Sequence, residues 1–226
     1  MDIPFQIRRT GHRSRSISVR VHPDGTVRVG APNWAAMRDI RQVVSEHSGW
    51  INERLEAVAA VMVRYEHGAE HLYLGRSYPL RIRLADAPPH VRLMRTGFAI
   101  QSRSDAESVL RDQLRRWYRG RAEVVIARRL ERLVPNLSWL KGAPRWCLRR
   151  MRTQWGSCCE TGLVTFNTQL VKAPLRLVDY VIVHELVHLK HHDHGRGFER
   201  LMDAQMPDWR RRRRELNELG ERVLND

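Results

Sequence analysis

A chain of 226 residues with 42% apolar content can bury a core as one domain or as two small ones. No run of 18 apolar residues occurs and no apolar segment follows Met1, which argues against a membrane-spanning helix and a secretory leader. The formal net charge of +15 comes from forty basic residues, of which only Lys141, Lys172 and Lys190 are lysines. That arginine excess fits codon bias better than selection for phosphate contacts, yet a field of this sign predicts nonspecific nucleic-acid contact at low salt. Cys147, Cys158 and Cys159 are odd in number and two adjoin, so no disulfide framework is expected and a reduced cytoplasm fits best.

In chain order, residues 5–7, 16–21 and 26–29 alternate as short strands, the last two forming a hairpin about His22-Pro23-Asp24-Gly25. Asn33 is placed to cap the helix that follows. That helix covers 34–64 in two pieces broken near Ser48-Gly49, with Ile40, Val43, Val44, His47, Trp50, Ile51 and Leu55 on the buried face. Strands return at 71–74, 78–84, 91–94 and 97–100, and Pro88-Pro89 marks a loop. A long amphipathic helix then runs from Ser104 or Asp105 to Leu133, burying Val109, Leu110, Leu114, Trp117, Tyr118, Val124, Val125 and Leu130. The boundary between an N-terminal β-rich region (1–103) and a C-terminal domain (104–226) is expected there.

Beyond Pro135, residues 145–151 alternate as a strand, 155–162 read as a turn and 163–166 as a second strand. A helix at 197–202 and another opened by Pro207 finish the chain. The five arginines 210–214 splay over the whole wheel, so they read as a solvated basic tail. The element order is that of an α+β protein.

Between them lies the stretch that carries the chemistry. Residues 178–189 are apolar almost all round a helical wheel, which marks a buried helix, yet they include His184, Glu185 and His188. Three polar groups in such a place cost several kcal/mol unless each has a partner. His184 and His188, four apart, point from one face and can each put a ring nitrogen on one Zn²⁺. Glu185, about 100° round the wheel, can reach a metal-bound water as general base. Catalytic zinc takes a third protein ligand. His191 is roughly 10 Å of helical rise from His184, too far for a shared ion. Asp193 and Gly195 turn chains, so His194 is the best-placed third ligand, with His192 in reserve and Glu199 behind it.

From Thr153 to about Gly220 the sequence resembles the YgjP-like metallopeptidase family, relatives of the SprT-like and Wss-type zinc proteases. The resemblance is carried by Trp155-Gly156-Ser157-Cys158, by Leu170 and Pro174, by the run from Asp179 to Lys190 around His184-Glu185 and His188, and by His194, Phe198 and Pro207. Weaker similarity reaches Val27 to Pro32, Trp50-Ile51 and Leu74-Gly75-Arg76 with Tyr78. It implies a zincin-like catalytic domain, with His184, His188 and His194 as ligands and Glu185 as base. Gln154 departs from the arginine the family often has there. His191 departs from the glycine of the metzincin turn, so that longer motif does not carry over.

The expected activity is zinc-dependent hydrolysis, first of all of a polypeptide. In zincins an edge strand beside the active-site helix takes the substrate backbone by strand addition. Residues 163–166 are the expected edge, with Trp155, Thr165 and Asn167 at the substrate; Trp155 has a plainer reading as a tryptophan bracing the turn. The alternatives are a nucleotide (UTP) pyrophosphatase using the same metal, which the chain's lack of a Gly-rich phosphate loop disfavours, and a DNA-associated protease of the SprT or Wss type.

Overall fold

A computed structural model describes residues 3–10, 16–22, 25–61 and 63–224; the Pro23-Asp24 tip of the first expected turn lies outside them. The backbone divides into two compact units, one within Met1–Met62 and one over Val63–Leu224.

In the first unit, β1 (Phe5–Thr10), β2 (Ser18–Val21) and β3 (Val27–Pro32) form a sheet in the order β1-β3-β2. The expected hairpin is the antiparallel pair β2–β3, with Val19 opposite Val29. The parallel pairing of β1 with β3 completes the sheet. Alternation buries Val27, Val29 and Ala31 with Ile40, Val44 and Ile51 from α1 (Met37–Glu46) and α2 (Ser48–Val61). The helix breaks at His47, whose ring nitrogen stands 2.8 Å from the Val43 carbonyl. Asn33 is not the cap. The helix starts behind Ala36 without a side-chain cap, and Arg9 holds the approach by donating to the carbonyls of Pro32 (2.9 Å) and Ala35 (2.7 Å). His47 and Trp50, expected inside, are exposed.

The second unit opens with β4 (Glu70–Tyr73), β5 (Arg76–Leu84), β6 (His90–Met94) and β7 (Gly97–Ser102), ordered β4-β5-β7-β6. This sheet packs on α3 (Glu107–Leu133), Phe98 meeting Trp117 and Tyr118 edge-on at 4.9 and 5.9 Å. Both share one core with everything downstream, so the compact units part at 62/63, well ahead of residue 103. The α3 stripe is Leu110, Gln113, Leu114, Tyr118, Ala122, Val125, Ile126 and Leu130. Val109 and Val124 are 38% and 37% exposed, each one position, or about 100°, off that stripe.

The β4–β5 turn fixes the start of the site. Leu74 (φ 49°) and Gly75 (φ 80°) turn there, and their N–H groups donate to the carbonyls of Val171 (2.8 Å) and Lys172 (3.1 Å). A Cβ on Gly75 would stand 2.5 Å from Pro174 Cγ, so glycine is required on both counts. After α3 come β8 (Trp146–Arg149), β9 (Gly156–Cys158) and β10 (Val164–Asn167), in the order β8-β10-β9. Helices α4 (Leu175–Val187), α5 (Arg196–Gln205) and α6 (Trp209–Val223) follow. Among the described residues no helix is long and apolar enough to cross a membrane.

Candidate metal centre

Helix α4 begins directly after Pro174, whose fixed φ suits a helix start, and buries Leu177, Val178, Tyr180, Val181, Ile182, Val183, Leu186 and Val187. Arg129 of α3 clamps Asp179 of α4 with two bonds of 2.5 Å. The helix ends at Val187, but His188 keeps helical dihedrals (φ −64°, ψ −19°) and so stays one turn above His184. The chain then turns back: Asp193 accepts the Gly195 N–H at 3.1 Å, and α5 starts at once. This reversal delivers His194.

The three rings converge through their nitrogens. His184 Nε2 is 3.3 Å from His188 Nε2 and 3.2 Å from His194 Nε2. Ligands at 2.0–2.1 Å on a tetrahedral zinc stand about 3.3 Å apart, so the donor set fits such an ion as it is. His188 Nδ1 lies 2.9 Å from the His191 carbonyl; it therefore carries the proton and leaves Nε2 free to bind. His184 Nδ1 faces the Tyr180 hydroxyl at 3.5 Å. Phe198, fully buried, is the floor, its ring 4.7 to 4.9 Å from all three imidazoles. Burial, then His188, His194 and Arg213, pull His184 down to about 3, and burial lowers His188 too. Both rings are neutral at neutral pH, the form a cation requires.

The other candidates are engaged elsewhere. The His191 ring packs against Gly197, where a Cβ would meet it at 2.8 Å. His192 is exposed, and Glu199 pairs with Arg210 at 3.5 Å.

Glu185 is 5% exposed, and burial pushes its carboxyl up to about 8. Among the described residues it has no hydrogen-bond or ion-pair partner. Strand β9 lies directly over it: a Cβ on Gly156 would stand 2.6 Å from Glu185 Oε1 and 2.8 Å from Cδ. Gly156, read in the sequence as part of a turn and of the Trp155–Cys158 motif, is thus the residue that admits the carboxylate. A lone Trp-Gly-Ser-Cys gives no hint of that contact, because the two residues meet only in the fold. Burial and Glu185 also push the Cys158 thiol up to about 11.

The expected edge strand needs correcting. Residues 164–167 are the centre of their sheet, parallel to β8 and antiparallel to β9. The edge beside α4 is β9, which a three-residue Gly-Ser-Cys strand conceals. The bonds Asn167 N–H to Trp155 O (2.9 Å) and Cys159 N–H to Leu163 O (3.1 Å) set its register. Alternation then turns the N–H and C=O of Gly156 and Cys158 to the open side. Asn167 is wholly buried; its amide donates to the carbonyls of Met151 (2.8 Å) and Gln154 (2.7 Å) and its oxygen accepts from Gln169 N–H (3.0 Å). It braces the loop ahead of β9. Thr165 faces Cys147 at 3.5 Å, on the opposite side of the strand from the buried Val164 and Phe166. Trp155 is half-buried, its indole near Gly220 of α6.

A buried helix with two imidazoles a turn apart, a third returned by a reversal, and an open strand edge over a carboxylate make an α+β domain of the zincin-like metallopeptidase class. Residues 15–219 match the family described as YgjP-like, metallopeptidase domain, and the chain belongs to that family. No curated protein and no solved structure matches the chain.

Proposed function

We propose that the chain is a zinc-dependent peptidase, with His184, His188 and His194 as the metal ligands and Glu185 as general base. The carrying observation is the convergence of three imidazole nitrogens within 4.8 Å of one another, next to a buried carboxylate without a partner. Zinc held there supplies a Lewis acid for the scissile carbonyl and lowers the pKa of its water toward ~7. Glu185 takes the proton from the attacking water and hands it to the leaving amine. A carboxyl whose affinity for protons is raised by burial is suited to both halves of that transfer. Gly156 and Cys158 offer backbone groups on the open edge of β9 to an extended polypeptide, which would add as a further strand. Asn167 keeps that edge in place from behind.

The test pairs Glu185→Gln with wild type, measuring casein hydrolysis and pyrophosphate release from UTP on one preparation. Glu185→Gln should keep its zinc and lose peptide hydrolysis by at least a hundredfold. Unchanged casein turnover would remove the mechanism, and UTP turnover without casein turnover would replace the substrate class.

A further inference from the structure

The five arginines 210–214 do not behave as one solvated run. Arg210 pairs with Asp203 at 2.5 Å and covers the Trp209 ring at 4.4 Å. Arg211 pairs with Asp208 at 2.8 Å and Glu215 at 3.8 Å. Arg212 pairs with Asp208 at 2.9 Å and donates to the Arg176 carbonyl of α4 at 3.0 Å. Arg213 and Arg214 have no ion pair or hydrogen bond among the described residues, and they lie about 100° apart on the wheel.

The face Arg213 occupies is the one α6 turns inward. Trp209, four residues before it, is 3% exposed with its ring 6.4 Å from Phe198, the floor of the histidine triad. Leu216, three residues after it, is 4% exposed, and Gly220 another turn on stands against Trp155, the neighbour of Gly156. Along α6, Arg213 therefore lies between the residue on the triad floor and the one beside β9, at the margin of the buried stripe, and it is exposed. At the margin of that face a long cationic side chain can lean along the helix toward the metal centre while its charged head stays in solvent. Behind the larger effect of burial, which raises Tyr180 overall and lowers His184, the charge of Arg213 reaches both residues of α4. Two other arginines near α4 are paired: Arg176 with Glu215 and Arg129 with Asp179.

We propose that Arg213 is a specificity-determining residue that receives a substrate carboxylate beside the bond to be cut. The proposal rests on the peptidase reading. A guanidinium fork matches the two oxygens of a carboxylate, which an Asp or Glu side chain or a free C-terminus supplies.

The test uses the zinc-loaded full chain carrying Glu185→Gln, so that binding is read without turnover, in 0.15 M salt. Fluorescein-labelled peptides of one neutral sequence are compared by anisotropy in four forms: neutral with an amidated end, neutral with a free carboxylate end, amidated with one internal Asp, and amidated with one internal Lys. At least one anionic form should bind roughly tenfold more tightly than the neutral amide, and which one does so names the source of the carboxylate. Arg213→Gln should bring that ratio to about one, Arg213→Lys should keep part of it, and Arg213→Glu should invert it toward the Lys peptide. Arg214→Glu, the same charge change one residue on, controls for the general field of the protein and should leave the ratio in place. Equal binding of all four peptides, or a preference that survives Arg213→Glu, overturns the proposal. Failure of the peptidase reading is seen separately, as no cleavage of any of these peptides when Glu185 is intact.

Discussion

Replacing Gly156 by alanine puts a methyl carbon 2.6 Å from Glu185 Oε1, 2.7 Å from Cγ and 2.8 Å from Cδ. Ordinary contacts between such atoms are about 3.5 Å, so either β9 or the carboxyl must give way by close to 1 Å. Glu185 is 5% exposed, so its carboxyl has little room to move aside. Overpacking of this kind costs about 1–3 kcal/mol, which lowers Tm by roughly 2–4 °C per kcal/mol in a domain of this size. Misplacing a reacting group by about 1 Å costs about a hundredfold in rate. Catalysis should therefore suffer far more than folding: kcat on casein down about a hundredfold, zinc bound in full, and Tm lowered by about 2–12 °C. Glu185→Asp, shorter by one methylene, makes room for the methyl, so adding Gly156→Ala to it should cost much less than adding it to wild type. Wild-type kcat in Gly156→Ala, or additive losses in the double variant, would refute the contact.

Other perturbations read other parts of the account. His194→Ala should weaken zinc binding at least a hundredfold in a competition titration with a chelator, whereas His192→Ala should leave zinc affinity unchanged. Phe198→Ala removes a fully buried ring under all three histidines and should cost about 3–5 kcal/mol in denaturant unfolding. Asp179→Ala leaves Arg129, 16% exposed, without its partner; a loss of about 2–3 kcal/mol is expected in the same assay. In metal-free protein, the Glu185 carboxyl is raised in the folded state, so its contribution is present at low pH and lost as pH rises toward 8. His184 is lowered and works in the opposite direction, but only below its unfolded value near 6.5. Between pH 6.5 and 8 the Glu185 carboxyl therefore makes Tm fall with rising pH, and Glu185→Gln should remove that contribution.

How much of this could be read from residues alone follows from range. The convergence of the three histidines was legible because helix periodicity ties His184 to His188, and because Asp193-Gly195 is a local reversal that returns His194. Helix α3 was legible from its stripe, except at Val109 and Val124, where a one-position offset turns apolar residues outward. What escaped depends on pairing at a distance. Strand β9 has three residues and no alternation to detect, so its place at the sheet edge, and the demotion of 164–167 to the centre, appear only once β10 has chosen its neighbours. Asn167 was expected at the substrate beside that edge, whereas its side-chain amide bonds to the loop and turn behind the strand. The clasp of Leu74-Gly75 on the chain ahead of Pro174 joins segments a hundred residues apart, and with it the sheet of 70–102 goes to the catalytic unit. The arginine run looked uniform because composition does not say which members find carboxylates.

The most direct measurement is the metal itself: zinc content of the purified chain with X-ray absorption of its coordination shell. One zinc per chain is expected, with three imidazole nitrogens at 2.0–2.1 Å and one exchangeable oxygen, retained in Glu185→Gln. A chain that binds no stoichiometric metal, or a shell closed by a fourth side chain, would contradict it.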